Sequence, residues 1–172
     1  MTELTESDIR VLYEALDDEY HAWSTYDQVI ADFGEVRPFI NIRAAEARHI
    51  EALSTLFRRY GLGMPANPWP GQVERYRSVR QACEAGVAAE IANAELYERL
   101  LTATQRQDIV TVLRNLQAAS QERHLPAFRR CAQGGKGTGW GPGGGQRRRG
   151  AHEDTEVHER HGRRANPPAS GR

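Results

Sequence analysis

Six side chains suited to hard divalent cations recur at related intervals in the first 131 residues of this sequence. Glu46 and His49 stand three apart, Gln121 and His124 repeat that spacing, and Glu19 and Glu90 lie on two further stretches. A step of three is about one helical turn, so each Glu/Gln-x-x-His pair shares a helix face. Carboxylate and imidazole donors together suit iron, manganese and related ions. A carboxylate in an apolar interior is costly unless it is paired or bound to metal. The chemistry these residues point to is a pair of divalent ions bridged by glutamates, each completed by one histidine. A buried polar network without metal is the alternative reading of the same residues.

Four helices must position them. The pattern predicts helices over about residues 6–33, 38–60, 78–103 and 105–131. Thr5 with Asp8, and Ser78 with Gln81, have capping-box spacing, and Thr104 with Gln107 is read the same way. Gly34 and Gly61 are natural stops, and Pro38 suits a first turn. Pro126 should kink the fourth helix or end it early. On the first helix Leu12, Leu16, Glu19, Trp23 and Tyr26 fall on one stripe at coiled-coil spacing, and Glu46 and His49 sit mid-stripe on the second. The third gives Gly86, Glu90, Asn93 and Tyr97, the fourth Leu113, Gln117, Gln121, His124 and Phe128. Glu122 falls about 100° off the stripe, on the solvent side.

Short connections make the first two and the last two helices antiparallel neighbours. The middle connection, residues 61–77, contains Pro65, Pro68 and Pro70. A helix of this length is about 35 Å long, and the connection can reach roughly 55 Å. It can therefore run the length of the bundle and make helices two and three parallel. The expected fold is an all-α, antiparallel four-helix bundle with one long crossover.

The chain also repeats. EYHAWSTYDQVI at 19–30 aligns with EIANAELYERLL at 90–101, matching Glu19 to Glu90 and Tyr26 to Tyr97. AEARHIEAL at 45–53 aligns with SQERHLPAF at 120–128, matching Glu46 to Gln121 and His49 to His124. On these residues the stretch 6–131 resembles the ferritin-like superfamily, close to rubrerythrins and to an uncharacterised bacterial family of ferritin-like domain proteins. The resemblance implies a di-iron centre reacting with peroxide or dioxygen, with Glu19, Glu46, His49, Glu90 and His124 at ligand positions. Tyr26 and Tyr97 are then candidates for radical or proton-relay roles, against the plainer reading as core aromatics. Gln121 stands where the pattern has Glu, and Asn93 where rubrerythrins carry a further glutamate. No rubredoxin-type CxxC pair follows, so an external electron donor is expected.

Charge bears on the same site. Glu19, Glu46 and Glu90 bring three negative charges to two divalent ions, one short of neutrality. The ion nearest Gln121 and His124 is therefore expected to bind more weakly.

Composition sets the outer bounds. The 172 residues are 39% hydrophobic, and 132–172 holds eleven of the sixteen glycines. The expected organisation is a bundle over 1–131 and a disordered Gly/Arg-rich tail over 132–172. Net charge is −4 for the first part and +4 for the second, so the formal zero is a cancellation. Arginines 147–149 are read as a solvated run rather than a nucleic-acid site. Cys83 and Cys131 lie far apart, which argues against a disulfide framework, and the pair is too few for a thiolate zinc site. The acidic start lacks a signal-peptide pattern, and no run is long and apolar enough to span a membrane. A soluble cytoplasmic protein is the expectation, with a homodimer compatible with it. Three functions compete: a di-metal oxidoreductase holding two iron or manganese ions, a ferroxidase in an iron-handling shell, and a structural or partner-binding bundle with a degenerate site. Metal content separates the first two from the third, and size in solution separates the first from the second.

Overall fold

A computed structural model describes residues 3–134, and the tail expected over 132–172 lies almost wholly outside them. The helices are α1 (Glu6–Phe33), α2 (Phe39–Tyr60), α3 (Val79–Thr102) and α4 (Gln107–Ala119). A π-helical turn (Ser120–His124) joins α4 to α5 (Leu125–Ala132). The predicted all-α bundle with one long crossover is what forms.

Local chemistry explains the ends. At Thr5 both halves of the capping box are made, since Thr5 accepts from the Asp8 N–H and Asp8 accepts from the Thr5 N–H. Ser78 caps α3 by accepting from the Gln81 N–H, while the Gln81 side chain reaches the Arg77 N–H instead of closing the box. Gly61 ends α2 in the left-handed conformation that glycine adopts without penalty. Thr104 is not a cap. It is buried, its hydroxyl donates to Asp8 at 2.5 Å, and the cap position falls on Arg106. Asp8 thus serves the start of α1 and the α3–α4 turn together. Pro126 does not end the fourth helix, which continues to Ala132. It has no N–H for the carbonyl four residues back and its ring crowds that position. The widened turn lies just before it, with the Leu125 N–H reaching five residues back to Ser120.

The crossover runs along α1. From one end to the other, Tyr13 donates to the Gly63 carbonyl, Tyr20 to the Pro65 carbonyl, and Asn67 to the Ser24 hydroxyl. Arg75 then pairs with Asp32 near the far end of α1. This path delivers the chain to the end at which α2 began. α3 accordingly runs antiparallel to α1, as the contacts Asn93–Asp18, Arg99–Glu14 and Ser7–Ala103 show, and parallel to α2.

Two apolar clusters form the core. One joins Leu12 and Leu16 of α1 to Leu53 and Phe57 of α2, Leu100 of α3 and Leu113 of α4. The other joins Tyr26, Phe39, Ala82, Cys83 and Phe128. Mid-helix residues 19, 46, 90 and 124 fall between them, all buried. In the second cluster Phe128 lies so close to α3 that a Cβ on Gly86 would meet its ring at 2.8 Å. Tyr26 and Phe39 rings flank Phe128 at 5.3 Å.

Cys83 and Cys131 form a disulfide, against the expectation from sequence. Forty-eight residues apart in sequence, they lie 5.9 Å apart between Cα atoms because α3 packs against α5. No helix among the described residues is long and apolar enough to cross a membrane.

The crowding at Gly86 gives a test. Gly86→Ala gains helix propensity of about 1 kcal/mol but overpacks a ring wedged by two others, which costs about 1–3 kcal/mol. The denaturant midpoint of the variant should fall. A raised midpoint would show that Phe128 can move aside.

Candidate metal centre

Glu46 is the middle of the site. His49 Nδ1 lies 2.7 Å from Glu46 Oε2, and His124 Nδ1 lies 3.2 Å from Glu46 Oε1. Each histidine also faces an outer glutamate: His49 is 3.1 Å from Glu19 Oε2, and His124 is 3.6 Å from Glu90 Oε1. Two groups of ligand atoms result, Glu19–Glu46–His49 and Glu46–Glu90–His124, with donors inside each group within 4.8 Å of one another. The two imidazoles stack with centroids 5.6 Å apart.

The tyrosines brace the outer glutamates across the bundle. Tyr26 of α1 donates to Glu90 Oε1 of α3 at 3.0 Å, and Tyr97 of α3 donates to Glu19 Oε1 of α1 at 2.6 Å. The exchange is reciprocal. Both phenols are buried, and burial together with the carboxylate each one faces holds them well above the usual tyrosine range. They remain protonated donors.

The fourth helix departs from the expected register. Leu116 and Ser120 are buried where Gln117 and Gln121 were expected, and both glutamines are half-buried. Ser120 donates to Glu90 Oε2 at 2.5 Å. Gln121 turns its amide to the Glu90 backbone carbonyl at 3.1 Å and does not line the central cavity. Glu122 is exposed, as expected. Ser120 was therefore missed from sequence, and Pro126 was the available sign of an irregular turn before it. Asp18, next to Glu19, was also missed. It lines the cavity, accepts from Asn93 at 2.6 Å, and is pushed up to about 6 by burial and by Glu46 and Glu90.

The cavity beside these groups is about 80 Å³, with Ala22, Thr25, Ala85, Ala89 and Asn93 among its walls. The Thr25 hydroxyl and Asn93 carbonyl oxygens are buried there without a hydrogen-bond partner among the described residues. The donor set fits divalent metal: three carboxylates and two imidazoles converge, with polar atoms left over at the edge.

Protons hold the cluster together when metal does not. Burial, and then Glu46, push Glu19 up to about 8. Burial alone would raise Glu46 as well, but hydrogen bonds from His124, His49 and Glu19 hold it down at about 2. Burial would lower the histidines, yet the facing glutamates raise His49 to about 10 and His124 to about 9.

Neither a protein-family model nor a curated relative matches the sequence. Solved structures do match. A hypothetical protein, MJ0754 of Methanococcus jannaschii, superposes with a TM-score of 0.69 at 21% identity, over 78% of this chain and 84% of that one. The bacterioferritin BfrA of Mycobacterium tuberculosis gives 0.60 at 20% identity, over 74% and 85%. The chain has the ferritin-like fold. Within this ferritin-like bundle the Glu/His cluster occupies the centre, and a metal-binding protein is what cluster and fold together are compatible with.

The protons predict a pH response. Glu19, His49 and His124 all bind protons more tightly folded than unfolded. The stability they contribute is complete below their ordinary values and lost as pH rises through about 8 to 10. Glu46 works the other way, its contribution being present above its ordinary value and lost as pH falls through about 2. Metal-free protein should therefore lose stability between pH 6.5 and 10, read as a falling denaturant midpoint. Metal binding should release protons and strengthen over that same window. A metal-free midpoint that stays flat or rises there would contradict these assignments.

Proposed function

We propose that this protein is a di-metal carboxylate oxidoreductase, holding two iron or manganese ions and reducing peroxide or dioxygen. The observation that carries the reading is Glu46: one buried carboxylate shared by two Glu–His groups. A bridging carboxylate is what a two-ion site needs, and a simple buried ion pair does not need it.

The residues divide the work. Glu46 spans the two positions. Glu19 with His49, and Glu90 with His124, complete them. Tyr97 and Tyr26 hold the outer carboxylates in orientation through their hydroxyls, a supporting role. Ser120 fixes the second oxygen of Glu90. Two redox-active ions bound there would supply electrons to the oxidant. The cavity favours a small oxidant, because about 80 Å³ admits a few water-sized molecules and falls far short of the roughly 300 Å³ of an organic-ligand pocket. In the metal-free protein His49, His124 and Glu19 hold protons, and each must leave as metal enters.

The test is metal content and peroxide consumption after expression with iron and manganese both supplied. The native protein should carry up to about two ions per chain. Glu46→Ala should lose both, because both groups need it. His49→Ala should lose mainly the ion shared with Glu19, and both variants should remain helical. Full metal content in Glu46→Ala would place any metal elsewhere and end this reading.

A further inference from the structure

The disulfide has a place relative to the metal centre that its sequence positions do not suggest. Cys83 lies seven residues before Glu90 on α3, and Cys131 seven residues after His124 on the fourth helix. Seven residues are two helical turns, so each cysteine shares a face with its ligand residue at about 10 Å along the axis. The space between is filled. Tyr26 donates to Glu90, the Tyr26 and Phe128 rings lie 5.3 Å apart, and Phe128 presses on Gly86 between Cys83 and Glu90. Cys83 and Phe128 belong to one buried cluster against which Cys131 packs. A chain of packed contacts through Phe128 and Tyr26 thus joins the cysteine pair to Glu90.

We propose that Cys83 and Cys131 are a redox-active pair, the immediate two-electron donor for peroxide reduction at the centre. The proposal rests on the function proposed above and supplies its missing reductant. In the step, the two thiols lose two electrons and two protons and form one S–S bond. Hydrogen peroxide gains both, its O–O bond breaks, and two waters leave. The electron count of a dithiol matches that of a peroxide.

Recharging fits the same geometry. Cys83 is fully buried, whereas Cys131 is half-buried near the end of α5. An external thiol attacking the Cys131 sulfur would expel Cys83 as the leaving thiol, and a second thiol would then release Cys131 from the mixed disulfide, the two external thiols ending as their own disulfide. Packing of α3 on α5 keeps the two cysteines facing each other in either state, so closure needs no large movement. A purely structural bond would not need to share its helix faces with Glu90 and His124, the two outer groups of one half of the site.

Thiol counting decides it. The full chain is loaded with iron or with zinc, its metal content is measured, and it is reduced with a dithiol and desalted without oxygen. One equivalent of hydrogen peroxide is then added, and remaining thiols are alkylated and counted by mass. With iron, both thiols should vanish together, at least about tenfold faster than with zinc, because buried thiols react slowly with peroxide unaided. Equal rates with the two metals overturn the proposal and leave the metal site standing. Failure to bind either metal overturns both. Reduction alone should leave helicity and metal content unchanged, and loss of metal on reduction would make the bond a staple and overturn the proposal. Cys83→Ser should keep its metal yet give no paired thiol loss with peroxide, and unaltered peroxide consumption by that variant under external thiol would also overturn it.

Discussion

A carboxylate buried to within a few per cent of complete exclusion from water, with an imidazole on each side, is the constraint around which the rest is arranged. Glu46 would be a large liability in an apolar bundle if left alone. His49 approaches one of its oxygens and His124 the other, so the charge is neutralised from two helices at once. That requires the second and fourth helices to face each other at mid-depth. It also requires α1 and α3 to bring Glu19 and Glu90 to the flanks. The tyrosine exchange between α1 and α3 then fixes those flanking groups, each helix holding the other's glutamate. Removing one member leaves a buried charge or donor unmatched, which is why such networks act as units.

The topology follows from the same need. Two short-linked hairpins can place four polar seams together only if they stack so that mid-helix positions coincide. The crossover accomplishes this by travelling along α1, tied at Tyr13, Tyr20, Ser24 and Asp32, before α3 begins. Apolar clusters on either side of the polar layer supply the burial that holds the hairpins together. The layer itself gives position rather than stability, since buried ionic groups roughly break even at best.

What could be read from sequence was what helical periodicity encodes. Glu19, Glu46, His49 and Glu90 interrupt apolar stripes on regular helices, so their depth and facing were visible. The long, proline-containing connection exposed the crossover through its reach alone. The fourth helix resisted because a π turn adds a residue where periodicity assumes none. A one-residue slip exchanges Gln121 for Ser120 and Gln117 for Leu116. Asp18 was hidden because it borders the stripe, and its burial comes from packing of α1 against α3 near Asn93. The disulfide was illegible for a simpler reason: nothing in a separation of forty-eight residues reports distance in space.

The slip in the fourth helix also makes the two ends of the centre unlike. At one end Glu19 is braced by Tyr97 through one oxygen and faces His49 with the other. At the other end Glu90 spends one oxygen on Tyr26 and the second on Ser120, and its distance to His124 is longer. Glu19 therefore has an oxygen already turned to its ion position. Glu90 must surrender a hydrogen bond before it can offer both oxygens. Negative charge is uneven in the same sense, because no carboxylate answers Glu46 from the fourth helix, where a hydroxyl and an amide stand instead. On the two-ion reading proposed above, both effects would favour the Glu19–Glu46–His49 position for the tighter ion. The second position would keep the looser hold, and it is the one from which Tyr26 and Phe128 lead toward the disulfide. On the di-metal function proposed above, an ion held by fewer charges would be more easily kept reduced, so the weaker half of the site would also be the half best placed to receive electrons.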